Sequence, residues 1–529
     1  MDVTIFSHRI AALSDRRPKS LALLLGLVSA TGFAPLHLWP LTLLALAGAM
    51  ALVVRSTGAR RVLGVGWAFG VGHFALGLNW IATAFTYQAA MPAWLGWIAV
   101  LLLSLYLALY PALAAWGAWL AGRGTDAMLP FLLAFASLWT LTEWLRSWLL
   151  TGFAWNPLAV IAVPHAAAPA RWIGTYGTSA LVCLAAGVLL LLAARRWIAA
   201  AALSAGLVAF GGAAALAQMT ASVDAAVRTK GLPPRPVITV VQPNIGQQDK
   251  WEGDKADANF AKLARLTAPT NDTPRLILWP EAAIPDYLET GYPPVYYERS
   301  PAEARGRLTG LMNPDDAMLL GALKLEFAPD GELTGARNAA MIVHADGTLG
   351  ARYDKAHLVP FGEYLPLRPL LSAIGLSRLV PGDIDFRPGP GPRTLDLGRF
   401  GRAGLQICYE IIFSGQVADR AHRPDFLFNP SNDAWFGQWG PPQHLAQARL
   451  RAIEEGLPVV RATPTGISAV IGADGLVRAS VPMHRAGRID TGLPPPHAAT
   501  LFARHGNGLP LGFALLLLAS GIAFRRRGR

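Results

Sequence analysis

Runs without a single Asp, Glu, Lys or Arg dominate the first part of the chain: residues 20–54, 62–122, 172–194 and 197–223. A helix that crosses a bilayer needs about 20 apolar residues. Pro35 and Pro40 break the first run into two short spans, and Gln88 with Pro92 divides the second into two. Residues 128–148 supply a fifth span, 172–194 and 197–218 a sixth and seventh. The eighth is 509–524, stopped by Arg525, Arg526, Arg527 and Arg529. After Gly231-Leu-Pro-Pro-Arg-Pro the pattern becomes short and β-rich: 237–242, 276–279, 318–322, 339–344, 404–408, 426–429 and 466–471. Helical stretches at 254–267, 301–310 and 442–455 lie between some of these, and Asp-Gly pairs at 330–331, 346–347 and 474–475 mark hairpin turns. Strands mixed with helices and hairpins predict a layered α/β domain. The predicted organisation is helices one to seven in 1–220, an α/β domain in 221–508, and helix eight with a basic tail in 509–529.

Composition and charge agree with that division. Of the 529 residues 53% are hydrophobic and only 15% charged, with a net charge of +12; soluble proteins carry roughly a quarter charged residues. Residues 221–508 hold 30 basic and 30 acidic groups, so the whole excess lies in the apolar segments. This excludes nucleic acid as the reason for the basicity and fits the flanks of membrane helices. With the N-terminus in the cytoplasm, 14 basic residues lie in inside segments and only Arg146 and Arg171 in the outside loops before 221. That asymmetry places both termini in the cytoplasm and 221–508 on the far side. A cleaved signal peptide ending near Ala30-Thr-Gly-Phe-Ala is the rival reading of the first span and leaves the α/β domain on the same side. Glu143 stands three residues before Arg146 on one helix face, which predicts a local ion pair.

Two cysteines are present, Cys183 within the sixth span and Cys408 in the α/β domain, so no disulfide is expected. An unpaired cysteine in an oxidising compartment calls for a reason, and a reactive thiol is one. Three segments carry matching chemistry. Leu276-Ile-Leu-Trp-Pro-Glu281 is an apolar strand ending in a carboxylate. Tyr353-Asp-Lys355-Ala-His357-Leu-Val-Pro-Phe-Gly-Glu363 brings an ammonium. Gly404-Leu-Gln-Ile-Cys408-Tyr409-Glu410 delivers a thiol at a strand end. A carboxylate to take the thiol proton and an ammonium to stabilise an oxyanion are what acyl transfer through a thioester requires.

Glu, Lys and Cys in this order and these contexts resemble the nitrilase superfamily. With the apolar spans, and with Asn432-Asp-Ala-Trp-Phe-Gly437 and Thr465-Gly-Ile-Ser-Ala-Val-Ile-Gly472, the whole chain resembles the apolipoprotein N-acyltransferase family of bacterial inner membranes. The resemblance implies eight spans and a periplasmic αββα sandwich. It also implies ping-pong transfer of an sn-1 acyl chain from a phospholipid, phosphatidylethanolamine being the expected donor, through a cysteine thioester. The acceptor is the α-amine of the diacylglyceryl-cysteine of an apolipoprotein. It makes Glu281 the general base, Lys355 the oxyanion stabiliser and Cys408 the nucleophile, with the Tyr409 backbone N–H as a second oxyanion donor. It needs no cofactor, metal or nucleic acid, and a monomer in the bilayer is expected. Glu363 would orient Lys355 or assist proton transfer, a solvated carboxylate being the plainer alternative. Glu410 is either catalytic or a fold-stabilising ion pair, and Trp251 resembles a family tryptophan near the substrate entrance. His357 and His444, with no second ligand at metal spacing, are read as structural. Loops 292–297 and 435–442 are candidate lids over an apolar chamber. The rival functions are a membrane-tethered amidase acting on a small amide, and a transporter or scaffold with a degenerate domain.

Overall fold

A computed structural model of the chain describes residues 16–87, 92–123, 128–231, 235–250, 252–373 and 385–527. Two compact units emerge. The first comprises Met1–Ala82, Trp94–Gln218 and Arg504–Arg529; the second comprises Thr83–Ala93 and Met219–Ala503.

The first unit is helical. Its opening helices, Pro18–Ala30 and Trp39–Val54, are 13 and 16 residues long. Pro40 sits in the first turn of the second, where a missing N–H costs nothing. Ala59–Gly77 bends by 49° into Ile81–Tyr87, and Leu95–Gly122, Met128–Arg146, Ala170–Ala193, Trp197–Thr229 and Gly508–Arg526 are the long apolar helices. Among the described residues, five helices are long and apolar enough to cross a bilayer, or six with the bent pair as one span. The expected eight is therefore not reached on length: 13 residues rise about 20 Å, short of a hydrocarbon core of about 30 Å. Glycines let these helices touch. A Cβ on Gly26 would stand 2.0 Å from the Phe69 carbonyl oxygen, and one on Gly72 would stand 2.2 Å from that of Leu23. Glu143 and Arg146 each have another partner. Glu143 Oε1 accepts from Trp139 Nε1 and from the Leu158 N–H, while Arg146 donates to the Trp155 carbonyl. The helix starting at Trp197 runs to Thr229, beyond the apolar run that announced it.

The second unit is built on two six-stranded sheets. One has the order β12 (Gly487–Gly492), β1 (Val237–Gln242), β2 (Arg275–Leu278), β3 (Ala317–Phe327), β4 (Leu333–His344), β5 (Leu349–Asp354). The other runs β11 (Val477–Val481), β10 (Ser468–Ile471), β9 (Val459–Ala462), β8 (Phe426–Pro430), β7 (Arg402–Leu405), β6 (Thr394–Asp396). In each sheet the three central strands are parallel and the outer pairings antiparallel. β1 packs against β9 and β10, so the sheets meet face to face. Helices Ala256–Thr267 and Pro301–Thr309 cover the first sheet, burying Leu263 and Leu308 with Ile277, Trp279, Met318 and Met341. Helix Gly440–Glu455 packs on β9 and on the turn after β7. The hairpins at Asp330-Gly331, Asp346-Gly347 and Asp474-Gly475 form where the sequence signals them, each glycine at a φ near +80°.

Candidate active site

The ends of β2, β5 and β7 bring Glu281, Lys355 and Cys408 to one buried place, each residue at most 6% exposed. Glu281 follows β2 in a tight turn with Ala282 at φ +44°. That turn lies directly on Gly321 of β3, whose N–H donates to the Pro280 carbonyl; a Cβ there would stand 2.3 Å from the Ala282 nitrogen and 2.6 Å from Glu281 Cα. Lys355 is the first residue past β5, tied by its N–H to the Asn338 carbonyl. β7 stops at Leu405, and Cys408 opens a 3-10 turn, Cys408–Ile412, at φ +52°. The thiol therefore projects from a strained elbow rather than from the strand end itself.

Lys355 Nζ lies 3.3 Å from Glu281 Oε1 and 3.0 Å from Glu363 Oε1. Asn338 Nδ2 donates to the same two oxygens at 2.7 and 2.9 Å. One ammonium and one amide thus bridge two buried carboxylates. Glu363 Oε2 accepts from the Val359 N–H, closing the loop that follows Lys355. Among the described residues, Glu281 Oε2 is buried with no ordinary hydrogen-bond partner, and the side chain of Cys408 acts on the carboxylate beside it. Burial would raise the Glu281 carboxyl, but Lys355, Lys250, Asn338 and the neighbouring Cys408 outweigh it and hold the group below its ordinary range. Burial and then Glu281 push the Cys408 thiol well above its usual value, against Lys355 and the Asn432 N–H. The resting group is a neutral thiol beside an ionised carboxylate, an arrangement in which a thiolate can form as the carboxylate takes its proton.

Glu410 accepts four hydrogen bonds and, among the described residues, forms no ion pair. Tyr353 Oη and the N–H groups of Ala356 and His357 converge on Oε1, and the Ile407 N–H donates to Oε2. It joins the thiol's turn to the segment carrying Lys355, with burial pushing its carboxyl up to about 7. The Tyr409 N–H lies at the start of the same turn, and its ring meets Phe413 edge-on. His357 stacks on Phe413, 4.2 Å between centroids. His444, fully buried, contacts the Cys408 carbonyl through Nε2 at 3.1 Å and Asp433 through Nδ1 at 2.9 Å; Arg461 holds the other Asp433 oxygen at 2.8 Å. This network and Asn429, which also donates to the Cys408 carbonyl, brace the elbow from behind. Among the described residues no cluster of His, Cys, Asp or Glu could hold a metal. Trp251 lies outside the described residues. Of the two loops named as lids, Tyr292 stacks on Tyr297, and Trp435 meets Tyr87 edge-on.

Sequence reasoning missed Asn338 and Lys250. Asn338 sits mid-strand on β4, the one polar residue in Ala336–Val343 apart from Arg337, and a lone amide in a buried run is the signal that could have found it. Lys250 Nζ donates to the Glu281 carbonyl at 2.9 Å; nothing in its surroundings in sequence marks it.

Comparison with known proteins follows these lines. Residues 25–188 match the apolipoprotein N-acyltransferase N-terminal domain and residues 237–489 the carbon-nitrogen hydrolase domain. The chain is 35% identical to the apolipoprotein N-acyltransferase of Rhodopseudomonas palustris, covering 96% of this chain and 95% of that one. For the protein of the same name from Ralstonia nicotianae the figures are 34%, 96% and 93%, and for that of Brucella melitensis 36%, 82% and 80%. A solved nitrilase-superfamily structure, Saccharomyces cerevisiae Nit3, aligns with 50% of this chain and 92% of its own at 21% identity and a TM-score of 0.34. Apolar helices, an α/β sandwich and whole-length relatives of one name agree: this chain belongs to the apolipoprotein N-acyltransferase family, acyltransferases built on a carbon-nitrogen hydrolase domain.

Proposed function

We propose that Cys408, Glu281 and Lys355 carry the N-acylation of lipoproteins by this enzyme, with a phospholipid, phosphatidylethanolamine first among candidates, as donor. Glu281 Oε2 takes the thiol proton as Sγ attacks the sn-1 ester carbonyl. Lys355 Nζ and the Tyr409 N–H receive the developing oxyanion. Collapse breaks the ester C–O bond, and the lysophospholipid leaves with the proton held by Glu281, giving a Cys408 thioester. The neutral α-amine of the diacylglyceryl-cysteine then attacks the thioester carbonyl and passes its proton to Glu281. The C–S bond breaks, the sulfur recovers that proton, and an amide remains. Glu363 orients Lys355, and Glu410 holds the two catalytic segments in register.

The observation that carries the reading is the uncommitted, buried Oε2 of an ionised Glu281 next to a neutral thiol. A thiol at 5% exposure also disfavours water as the acceptor, which speaks for transfer over the hydrolysis a small-amide amidase performs. The charge asymmetry of the loops supports an inner-membrane protein with cytoplasmic termini, the α/β domain on the periplasmic side, eight spans including the short pair at the start, and domain limits at 220 and 508. Nothing in the site calls for a second subunit, and we read the working form as a monomer. The test is mass spectrometry of the purified protein after incubation with phosphatidylethanolamine. A gain of one fatty acyl group, lost on hydroxylamine treatment and absent from Cys408→Ser, is the expected result; an unmodified wild-type protein that still acylates lipoprotein overturns it.

A further inference from the structure

Two cations, not one, face the carboxylate and the thiol. Lys250 lies in the stretch between β1 and helix Ala256–Thr267 and is partly buried. Its Nζ donates to the main-chain carbonyl of Glu281 at 2.9 Å. That carbonyl belongs to the strained turn with Ala282 at φ +44°, pressed on Gly321. Lys250 is therefore attached to the backbone whose geometry decides where the Glu281 carboxylate points. It also feels the side chain: both Glu281 and Cys408 bear on its charge, and it in turn favours the ionised form of Glu281.

We propose that Lys250 is a positioning residue for Glu281, whose ammonium pins the main-chain carbonyl of the base and, as a second cation, keeps the carboxylate ionised and turned to the thiol. The inference rests on the assignment of Glu281 and Cys408 given above. The other charges near it are spoken for. Asp249 and Glu252 both engage Lys255. Asp286, Arg299 and Arg307, which line the same small cavity as Lys250 and Glu281, are paired with one another. Among the described residues, the titratable groups whose charge acts on Lys250 are Glu281 and the Cys408 thiol.

Lys355 and Lys250 differ in a way that can be read out. Lys355 has two carboxylates and stays charged far into the alkaline range. Burial pulls the Lys250 ammonium down to about 8, although Glu281 and Cys408 both push it up. Its charge, and the support it gives Glu281, should fade as pH rises past that value. Arginine stays charged through this range.

The test measures the first half-reaction alone: full-length protein with phosphatidylethanolamine in detergent micelles, no amine acceptor, and acyl-enzyme quantified by mass spectrometry against pH. Leaving out the acceptor removes the titration of its amine. Wild-type acylation should show an alkaline limb near pH 8. K250R should move that limb upward by more than about one pH unit, and K250M should lower the rate about tenfold at neutral pH and lose the limb. A merely structural lysine would lower the rate without moving the limb. Wild-type rate and limb in both variants overturn the proposal; if K250M does not fold, an unmoved limb in K250R does so alone. C408S serves as the control. Acyl transfer to C408S would overturn the nucleophile assignment and the inference with it, whereas an inert C408S with unmoved Lys250 variants rejects the role of Lys250 only.

Discussion

Asn338→Asp is nearly isosteric, yet it reverses the electrostatics of the centre. The amide nitrogen donates to Glu281 Oε1 at 2.7 Å and to Glu363 Oε1 at 2.9 Å. An oxygen in its place turns two donated hydrogen bonds into two like-charge contacts around a single ammonium. At those distances, with an effective dielectric of about 20, each contact between unit charges costs roughly 6 kcal/mol. The cluster escapes that cost by keeping a proton, so the change appears in titration before it appears as unfolding. Loss of one charged hydrogen bond alone is worth about 1.5–3 kcal/mol. At about 1.4 kcal/mol per pH unit, that moves the acidic limb of Glu281-dependent acylation upward by roughly one to two units. Repulsion between the carboxylates adds to the shift. The assay is single-turnover formation of the acyl-enzyme from phospholipid over about pH 5–9, with Asn338→Ala as the variant that removes the donor without adding charge. The expected order of acidic limbs is wild type lowest, Asn338→Ala higher, Asn338→Asp highest. Coincident limbs in all three folded proteins would refute the claim that Asn338 holds Glu281 ionised.

Three further changes have definite outcomes. Glu410→Gln keeps an oxygen for Tyr353, Ala356 and His357 but turns an NH2 toward the Ile407 N–H; one orphaned donor should cost about 1–3 kcal/mol, lower the melting temperature and slow both half-reactions together. Gly321→Ala sets a methyl against the Glu281 turn and should suppress acyl-enzyme formation while far-UV circular dichroism stays unchanged. Glu455 is fully buried, and burial, with Glu454 beside it, lifts its carboxyl to about 7 from 4.5 against the nearby arginines. The folded state then binds that proton more tightly than the unfolded chain, so the stability it contributes is complete below about pH 4.5 and is lost as pH rises through about 7, up to about 3 kcal/mol. Glu455→Gln should melt higher than wild type above pH 7, and a constant difference down to pH 4 would refute this.

What could be read in advance followed apolar runs and turn chemistry. The buried strands β1, β2, β3, β4 and β8 announce themselves by short apolar runs of Val, Ile, Leu, Met, Ala or Phe, and the Asp-Gly pairs place three hairpins. Thr394–Asp396, Val477–Val481 and Gly487–Gly492 escaped notice because edge strands are short, mixed in polarity and recognised only by their partners. The apolar run 404–408 suggested a strand carrying the thiol to its tip; Cys408 at φ +52° ends the ladder early, since a left-handed residue cannot continue it. Glu281 is legible as a carboxylate closing an apolar strand, whereas Lys355 stands out only through its place in the ordered Glu, Lys, Cys set, because the edge strand before it carries no strong apolar signal. Asn338 and Lys250 are not legible, because each acts through a contact more than 20 residues away in the chain. Glu143 shows a further limit: helical spacing points to Arg146, whose charge does act on the carboxylate, but the Leu158 N–H that also binds it arrives from the following loop and has no local signal.

The high proton affinity of Cys408 has a pharmacological side. Iodoacetamide-type reagents and peroxide react with thiolates, so a buried sulfur stored in its inert form should survive oxidising surroundings that would consume an exposed redox cysteine. Screens that rank cysteines by intrinsic electrophile reactivity would pass over it. On the proposed mechanism, a covalent inhibitor would have to behave as the donor does, presenting a carbonyl that Lys355 polarises and so calling forth the very anion that attacks it.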